Sequence, residues 1–298
     1  MDQSSPGIQA TDYAFAAILG DGSVVTWGDA DIGGDSSAVQ DQLKNVQQIQ
    51  ATRRAFAAIL ADGSVVTWGD ASCGGDSTAV QQQLQNVQQI QATWNAFAAI
   101  LGDGSIGTCG HFGMGGDSSA VQHQLKNVQQ IQATARAFAA ILADGSVVTW
   151  GCDDFGGDSS RVQDQLKNIK QIQATGLAFA AILREGSVVT WGHAGLGGDS
   201  SAVQDQLKNV QQIQATHRAF AAILADGSIV TWVVLTVVVT DQLKNVQQIQ
   251  ETGTGAFAAI LGDGSVVTWG ESYPYFLRTI PPDSIQSIAL RTWLDAFQ

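Results

Sequence analysis

Along most of the chain the apolar positions fall into three short runs that return in the same order. Between residues 46 and 86 they are Val46-Gln-Gln-Ile-Gln-Ala-Thr52, then Ala55-Phe-Ala-Ala-Ile-Leu60, then Ser64-Val-Val-Thr-Trp68-Gly69. Val, Ile, Thr, Phe and Trp favour extended backbone. Asp62-Gly63 between the second and third runs signals a tight hairpin, because glycine accepts the positive φ of such a turn. This pattern predicts three antiparallel strands per unit. Gly74-Gly-Asp-Ser-Thr78 follows as a loop by composition. Ala79 to Leu84 fits a short outer strand or one to two turns of helix, and the pattern leaves both open.

The unit recurs through nearly the whole chain. Its phenylalanine stands at Phe15, Phe56, Phe97, Phe138, Phe179, Phe220 and Phe257, in five steps of 41 residues and a last one of 37. Twelve residues behind come Trp27, Trp68, Trp150, Trp191, Trp232 and Trp269, with Cys109 in the third place. A lone three-stranded sheet leaves a face unburied, whereas seven sheets packed radially bury one another. The expectation is an all-β, seven-bladed β-propeller occupying residues 1–298 as one domain. The Ala-rich strand suits the crowded inner part of each blade, and the Phe and Trp rings serve packing between blades.

The string Asp-Gly-Ser-Val-Val-Thr-Trp-Gly, preceded by Ala-Phe-Ala-Ala-Ile-Leu, resembles the repeat of the regulator-of-chromosome-condensation family. The match spans residues 8 to 271. That resemblance implies a seven-bladed propeller and a habit of binding proteins. The short period is similar to compact bacterial members that bind and inhibit β-lactamases. Two features depart from the family: Ala-Thr-x-x-Ala-Phe replaces its Gly-x-x-His entry, and Gly-Gly-Asp-Ser-Ser replaces its Gly-Gln-Leu-Gly. The family's nucleotide-exchange and chromatin-binding surfaces have no residue-level counterpart here.

The copies are nearly identical, so the places where they differ stand out. One set lies between Ala-Thr and Ala-Phe: Asp12-Tyr13, Arg53-Arg54, Trp94-Asn95, Ala135-Arg136, Gly176-Leu177, His217-Arg218 and Thr254-Gly255. The other follows Trp-Gly: Asp29 to Ile32, Asp70 to Cys73, His111 to Met114, Cys152 to Phe155 and His193 to Leu196. Strand direction puts both sets on one rim and the constant Asp-Gly turns on the other. Loop tips on a rigid repeat scaffold are a place to present a binding surface. The candidate partner-binding residues are Tyr13, Arg53, Arg54, Trp94, Asn95, Phe112, Arg136, Phe155, His193, His217 and Arg218, several of them of types enriched in interface hot spots. Neutral drift in turns that bury little is the competing reading.

Charge and chemistry narrow the functions further. The net charge is −13, which disfavours nucleic acid and anionic lipid as partners. Much of the acid belongs to the repeated Asp-Gly-Ser and Gly-Gly-Asp elements. Cys73, Cys109 and Cys152 sit in three different repeats without a CxxC motif, consistent with a reducing compartment, cytoplasmic or nuclear. The N-terminal Met-Asp-Gln-Ser-Ser lacks a secretory pattern. No metal is expected, because His111, Cys152 and His193 hold equivalent places on different blades and need not converge. No HExxH, GxSxG, P-loop or Rossmann pattern occurs, so neither catalysis nor a cofactor is expected. The Asp of each Gly-Gly-Asp-Ser is expected to tie its own loop or cap a helix.

Two places break the period. After Trp232 the chain runs Val-Val-Leu-Thr-Val-Val-Val-Thr240 in place of a Gly-Gly-Asp loop. Two readings of residues 233–240 stand open: a local frameshift, since under one choice of codons a one-base shift restores Gly-Gly-Asp, or a real β-branched, uncharged stretch that is sticky when exposed. Residues 272–298 are expected to close the ring or to begin an eighth repeat. The reading of the whole is a monomeric protein–protein interaction module. The alternatives are a nucleotide-exchange or ubiquitin-ligase recognition propeller, and an enzyme with its site at the channel mouth.

Overall fold

The computed structural model describes residues 7–232, 243–251, 256–270 and 278–280. The second repeat shows how the unit is made. Strands β4 (Val46–Ala51), β5 (Ala55–Leu60) and β6 (Val65–Gly69) form an antiparallel sheet in that order. Phe56 pairs with Ala51 on one side and Trp68 on the other. The Asp62-Gly63 turn closes as expected: Gly63 takes φ 78°, and the Ser64 amide and hydroxyl both donate to Asp62 Oδ1. Asn45, just before β4, holds the left-handed region at φ 55°, which Asn tolerates better than branched residues do.

The same triple recurs as β1 (Ile8–Ala10), β2 (Ala14–Ile18) and β3 (Val24–Gly28), and as β7 (Val87–Ala92), β8 (Ala96–Leu101) and β9 (Ile106–Gly110). A fourth sheet contains β10 (Val128–Ala133), β11 (Ala137–Leu142) and β12 (Val147–Gly151). These four sheets lie in one compact unit, Met1–Ser159; a second unit spans Ser160–Gln298. The second unit holds β13 (Ile169–Ala174), β14 (Ala178–Leu183) and β15 (Val188–Gly192), then β16 (Val210–Ala215), β17 (Phe220–Leu224) and β18 (Ile229–Trp232). Its last sheet has β19 (Val246–Glu251), β20 (Ala256–Leu261), β21 (Val266–Gly270) and β22 (Arg278–Ile280). The protein is thus all-β, with seven repeated small antiparallel sheets. The expectations for 233–240 lie outside the described residues. Those for 272–298 do too, except that residues 278–280 form the outer strand of the seventh sheet.

In the first five repeats the undecided outer element is neither strand nor α-helix. In the second repeat it is a 3-10 turn, Thr78–Val80, running into further turns. Polar hooks explain the choice. Thr67 Oγ1 donates to Ser77 Oγ, which donates to Gln81 Oε1, and Gln81 Nε2 donates to the Val65 carbonyl on the edge strand. Gln40, Gln122 and Gln204 make the same bond to Val24, Ile106 and Val188. A side-chain amide therefore occupies an edge acceptor that an outer strand would have used.

Neighbouring repeats lock through glycine. In the first unit Trp68 Nε1 donates to the Gly33 carbonyl at 3.1 Å, and Trp150 to Gly115 at 3.1 Å. In the second unit Trp232 donates to Gly197 at 3.0 Å. A side chain at Gly33 would begin 2.6 Å from the Phe56 ring, and φ 101° there already calls for glycine. Phe56 and Trp68 are consequently 0% and 4% exposed, while Phe15 and Trp27 of the first repeat are 42% and 45% exposed. The preceding repeat covers Phe56 and Trp68, with Gly33 lying against the Phe56 ring. The opposite edge is tied as well, by the Val46, Val87 and Val128 amides donating to Gly22, Gly63 and Gly104.

Candidate functional site

The two variable sets meet at one end of each of the first five sheets, because the register joins them. Ala55 pairs with Gly69, so the residue before the first faces the residue after the second. The Asp70 amide donates to the Arg54 carbonyl, and His111, Cys152 and His193 do the same to Asn95, Arg136 and Leu177. Each preceding Thr holds the entry turn: Thr52 Oγ1 accepts from the Ala55 amide and donates to backbone carbonyls. Only the two residues after the Thr, and those after the Gly, are left to vary.

A second set of bonds runs between repeats. In the first unit the Asp12 amide donates to the Arg53 carbonyl, Arg53 to Trp94, and Trp94 to Ala135, each at 2.9 Å. In the second unit Gly176 donates likewise to His217 at 2.8 Å. Residues one period apart thus sit side by side, as in a parallel sheet.

This ladder stacks side chains that the sequence separates by tens of residues. The Arg53 guanidinium lies 3.5 Å from the centre of the Trp94 ring. Arg136 lies 5.6 Å from the same ring and 4.7 Å from that of Phe155. Cation–π contacts of this kind contribute roughly 0.5–1 kcal/mol when exposed and more when desolvated. Arg136 Nε is buried and has no hydrogen-bond partner among the described residues.

The remaining candidates are placed differently. Arg54 forms an ion pair with Asp70 at 2.7 Å. Asp70 is held below the usual carboxylate range, first by the Ser72 hydroxyl and then by Arg54; Arg54 is raised by the bond to Asp70. Asn95 turns inward and its Nδ2 donates to Cys73 Sγ. Tyr13 and Phe112 stand out at 75% and 76% exposure. In the second unit His193 is exposed, and the His217 ring covers Gly176, where any side chain would collide with it; Arg218 is exposed on the same loop. Sequence reasoning passed over Asp70 and Cys73 as partners of rim residues. The spacing of 16 between Arg54 and Asp70 was the available signal, since the hairpin register pairs those positions.

The Gly-Gly-Asp loops are tied from within, as expected. The amides of Ser37, Thr78, Ser119 and Ser201 donate to Asp35, Asp76, Asp117 and Asp199. Cys73, Cys109 and Cys152 are free thiols. Among the described residues no group of three or more His, Cys, Asp or Glu side chains comes together, and no helix is long and apolar enough to cross a membrane.

No family model matches the chain, and no curated protein matches it in sequence. Solved structures do match. The ectodomain of the receptor kinase CR4 from Physcomitrella patens aligns with a TM-score of 0.50 at 15% identity, covering 88% of this chain and 72% of that one. Prp20p from Saccharomyces cerevisiae aligns at 0.49 and 14%, covering 92% and 86%. Human WBSCR16 aligns at 0.49 and 15%, covering 93% and 83%. The fold is that of β-propeller structures.

Proposed function

We propose that this protein is a non-catalytic interaction module that binds a protein partner through the rim carrying Arg53, Trp94, Arg136 and Phe155. The observation that carries the reading is the interleaved Arg–Trp–Arg–Phe stack, with an unsatisfied donor on Arg136 inside it. Stacking fixes the guanidinium planes, so less rotamer freedom is lost when their N–H groups meet a partner's oxygens. A chain of net charge −13 that gathers two arginines onto aromatic faces offers a local cationic patch on an acidic body. That patch suits an acidic protein segment, recognised by forked N–H···O bonds to carboxylates and by aromatic area at the centre. The repeat's resemblance to the regulator-of-chromosome-condensation family, a family of protein binders, agrees with this reading.

The test is affinity capture from native lysate beside a variant carrying Arg53→Glu and Arg136→Glu. A partner should be captured by the native protein and lost from the variant, with an unchanged melting profile. Capture that survives both reversals would refute the rim as the binding face.

A further inference from the structure

The first sheet leaves open a face that the second sheet buries. Cross-strand register defines that face. In repeat two, Ile49, Ala58 and Val66 stand in one row, and Ala51, Phe56 and Trp68 in the next. Ile49, Phe56, Ala58, Val66 and Trp68 pack into one cluster with Ala14, Ala16, Val24, Ile32 and Leu43 of repeat one. In repeat one the same rows are Ile8, Ala17 and Val25, then Ala10, Phe15 and Trp27. Leu19 continues the face by strand alternation. The far side of this sheet, Ala14, Ala16 and Val24, is buried against repeat two. On the near side Ile8, Phe15, Leu19, Val25 and Trp27 are each 42% or more exposed.

The chemistry of the face and its rarity define what covers it. Apart from the Trp27 N–H its side chains are wholly apolar, so a polar or charged surface gains nothing there. The corresponding rings Phe56, Phe97, Phe138, Phe179, Phe220 and Phe257 are at most 3% exposed. Among the described residues, the open Phe–Trp pair that a second copy offers is therefore again Phe15 with Trp27. Contact of like face with like is two-fold and closes at two copies. The open area is roughly 500 Å² per copy, the size of a functional surface patch. A pair buries about 1,000 Å² in total, the low end of specific interfaces, which makes the association concentration-dependent. The net charge of −13 on each copy opposes pairing, and salt screens that repulsion.

We propose that the protein forms a two-fold dimer in which the Ile8, Phe15, Val25 and Trp27 face of one copy lies on the same face of another, in place of the monomer expected from sequence. The experiment is sedimentation velocity on the 298-residue chain over a concentration series. The native chain should pass from monomer to dimer as concentration rises, and added salt should strengthen the dimer. Ile8→Lys with Val25→Lys sets like charges against each other across the two-fold axis and should weaken the dimer by more than about ten-fold. Circular dichroism checks that this variant is folded; if it is not, Ile8→Lys alone, at the more exposed position, decides by the same loss. Arg53→Glu with Arg136→Glu should leave the dimer intact, which separates this face from the rim. A native chain that stays monomeric at every concentration, as when another segment of the same chain covers the face, would overturn the proposal. So would a dimer unweakened in the folded lysine variants, a dimer that dissolves in salt or in the Arg53→Glu and Arg136→Glu variant, or growth beyond two copies.

Discussion

Replacing a tryptophan by phenylalanine should have different consequences at two equivalent positions. Trp68 is 4% exposed, stacks on Phe56 and donates its N–H to the Gly33 carbonyl. Trp269 is 9% exposed and stacks on Phe257 at 5.3 Å, but its buried Nε1 has no acceptor among the described residues. Repeat six, which precedes it, lacks the Gly-Gly-Asp loop that supplies that carbonyl elsewhere. Trp68→Phe trims the ring, removes a made hydrogen bond and strands a buried carbonyl. Trp269→Phe trims the same ring but removes a donor that has no acceptor among the described residues. Each buried unmet group costs about 1–3 kcal/mol. The packing loss is shared and cancels, so Trp68→Phe should destabilise its sheet by about 2–6 kcal/mol more than Trp269→Phe does. The two residues lie in different units and one global transition need not report both. Amide exchange followed on peptides spanning 55–69 and 256–270 reads each sheet separately. Equal loss of protection at both sites, or a larger loss around Trp269, would refute the argument that the indole bond holds the repeats together.

Three further outcomes are expected. Asn86 holds φ 54°, so Asn86→Ala should cost about 1 kcal/mol and Asn86→Gly much less, read from urea unfolding. Gly33→Ala should destabilise far more than an exposed change, because its Cβ meets both a positive φ and the Phe56 ring at 2.6 Å; survival of full thermal stability would contradict the packing. Acid should weaken the fold through the Asp-Gly-Ser turns. Asp21, Asp62, Asp103, Asp144 and Asp226 are each lowered from 3.8, first by the hydroxyl of the following Ser. A lowered folded-state value gives stability that is present above 3.8 and lost as pH falls through and below it. The stability difference between the native chain and Asp62→Ala should therefore be largest near neutral pH and shrink in acid.

Much of the architecture was legible because each repeat states its local rules redundantly. The Asp-Gly turn, the period-41 Phe and the Trp twelve residues on fix hairpin register, and seven repetitions leave little room for another pairing. The outer element was not legible, since Val80 and Leu84 are compatible with helix or strand. What decided it was Gln81, whose side chain bonds the Val65 carbonyl sixteen residues back. The two rim loops could be assigned to one edge from strand direction alone. Their internal chemistry could not: the Arg53–Trp94 and Arg136–Trp94 contacts depend on the ladder between repeats, and nothing in the local sequence announces it. Asn95 shows the converse, a residue of interface type whose side chain is drawn inward by Cys73.

The ladder through residues 12, 53, 94 and 135 separates two kinds of variation. Inserting or deleting a residue in one of these loops would break the backbone bonds to the neighbouring repeats, whereas exchanging side chains leaves every bond in place. In the first six repeats this loop keeps two residues while their identity changes, so it works as a row of fixed slots, two letters per repeat. Under the proposed binding role, new specificities would be written there by substitution alone, one repeat at a time, without redesigning the scaffold that carries them.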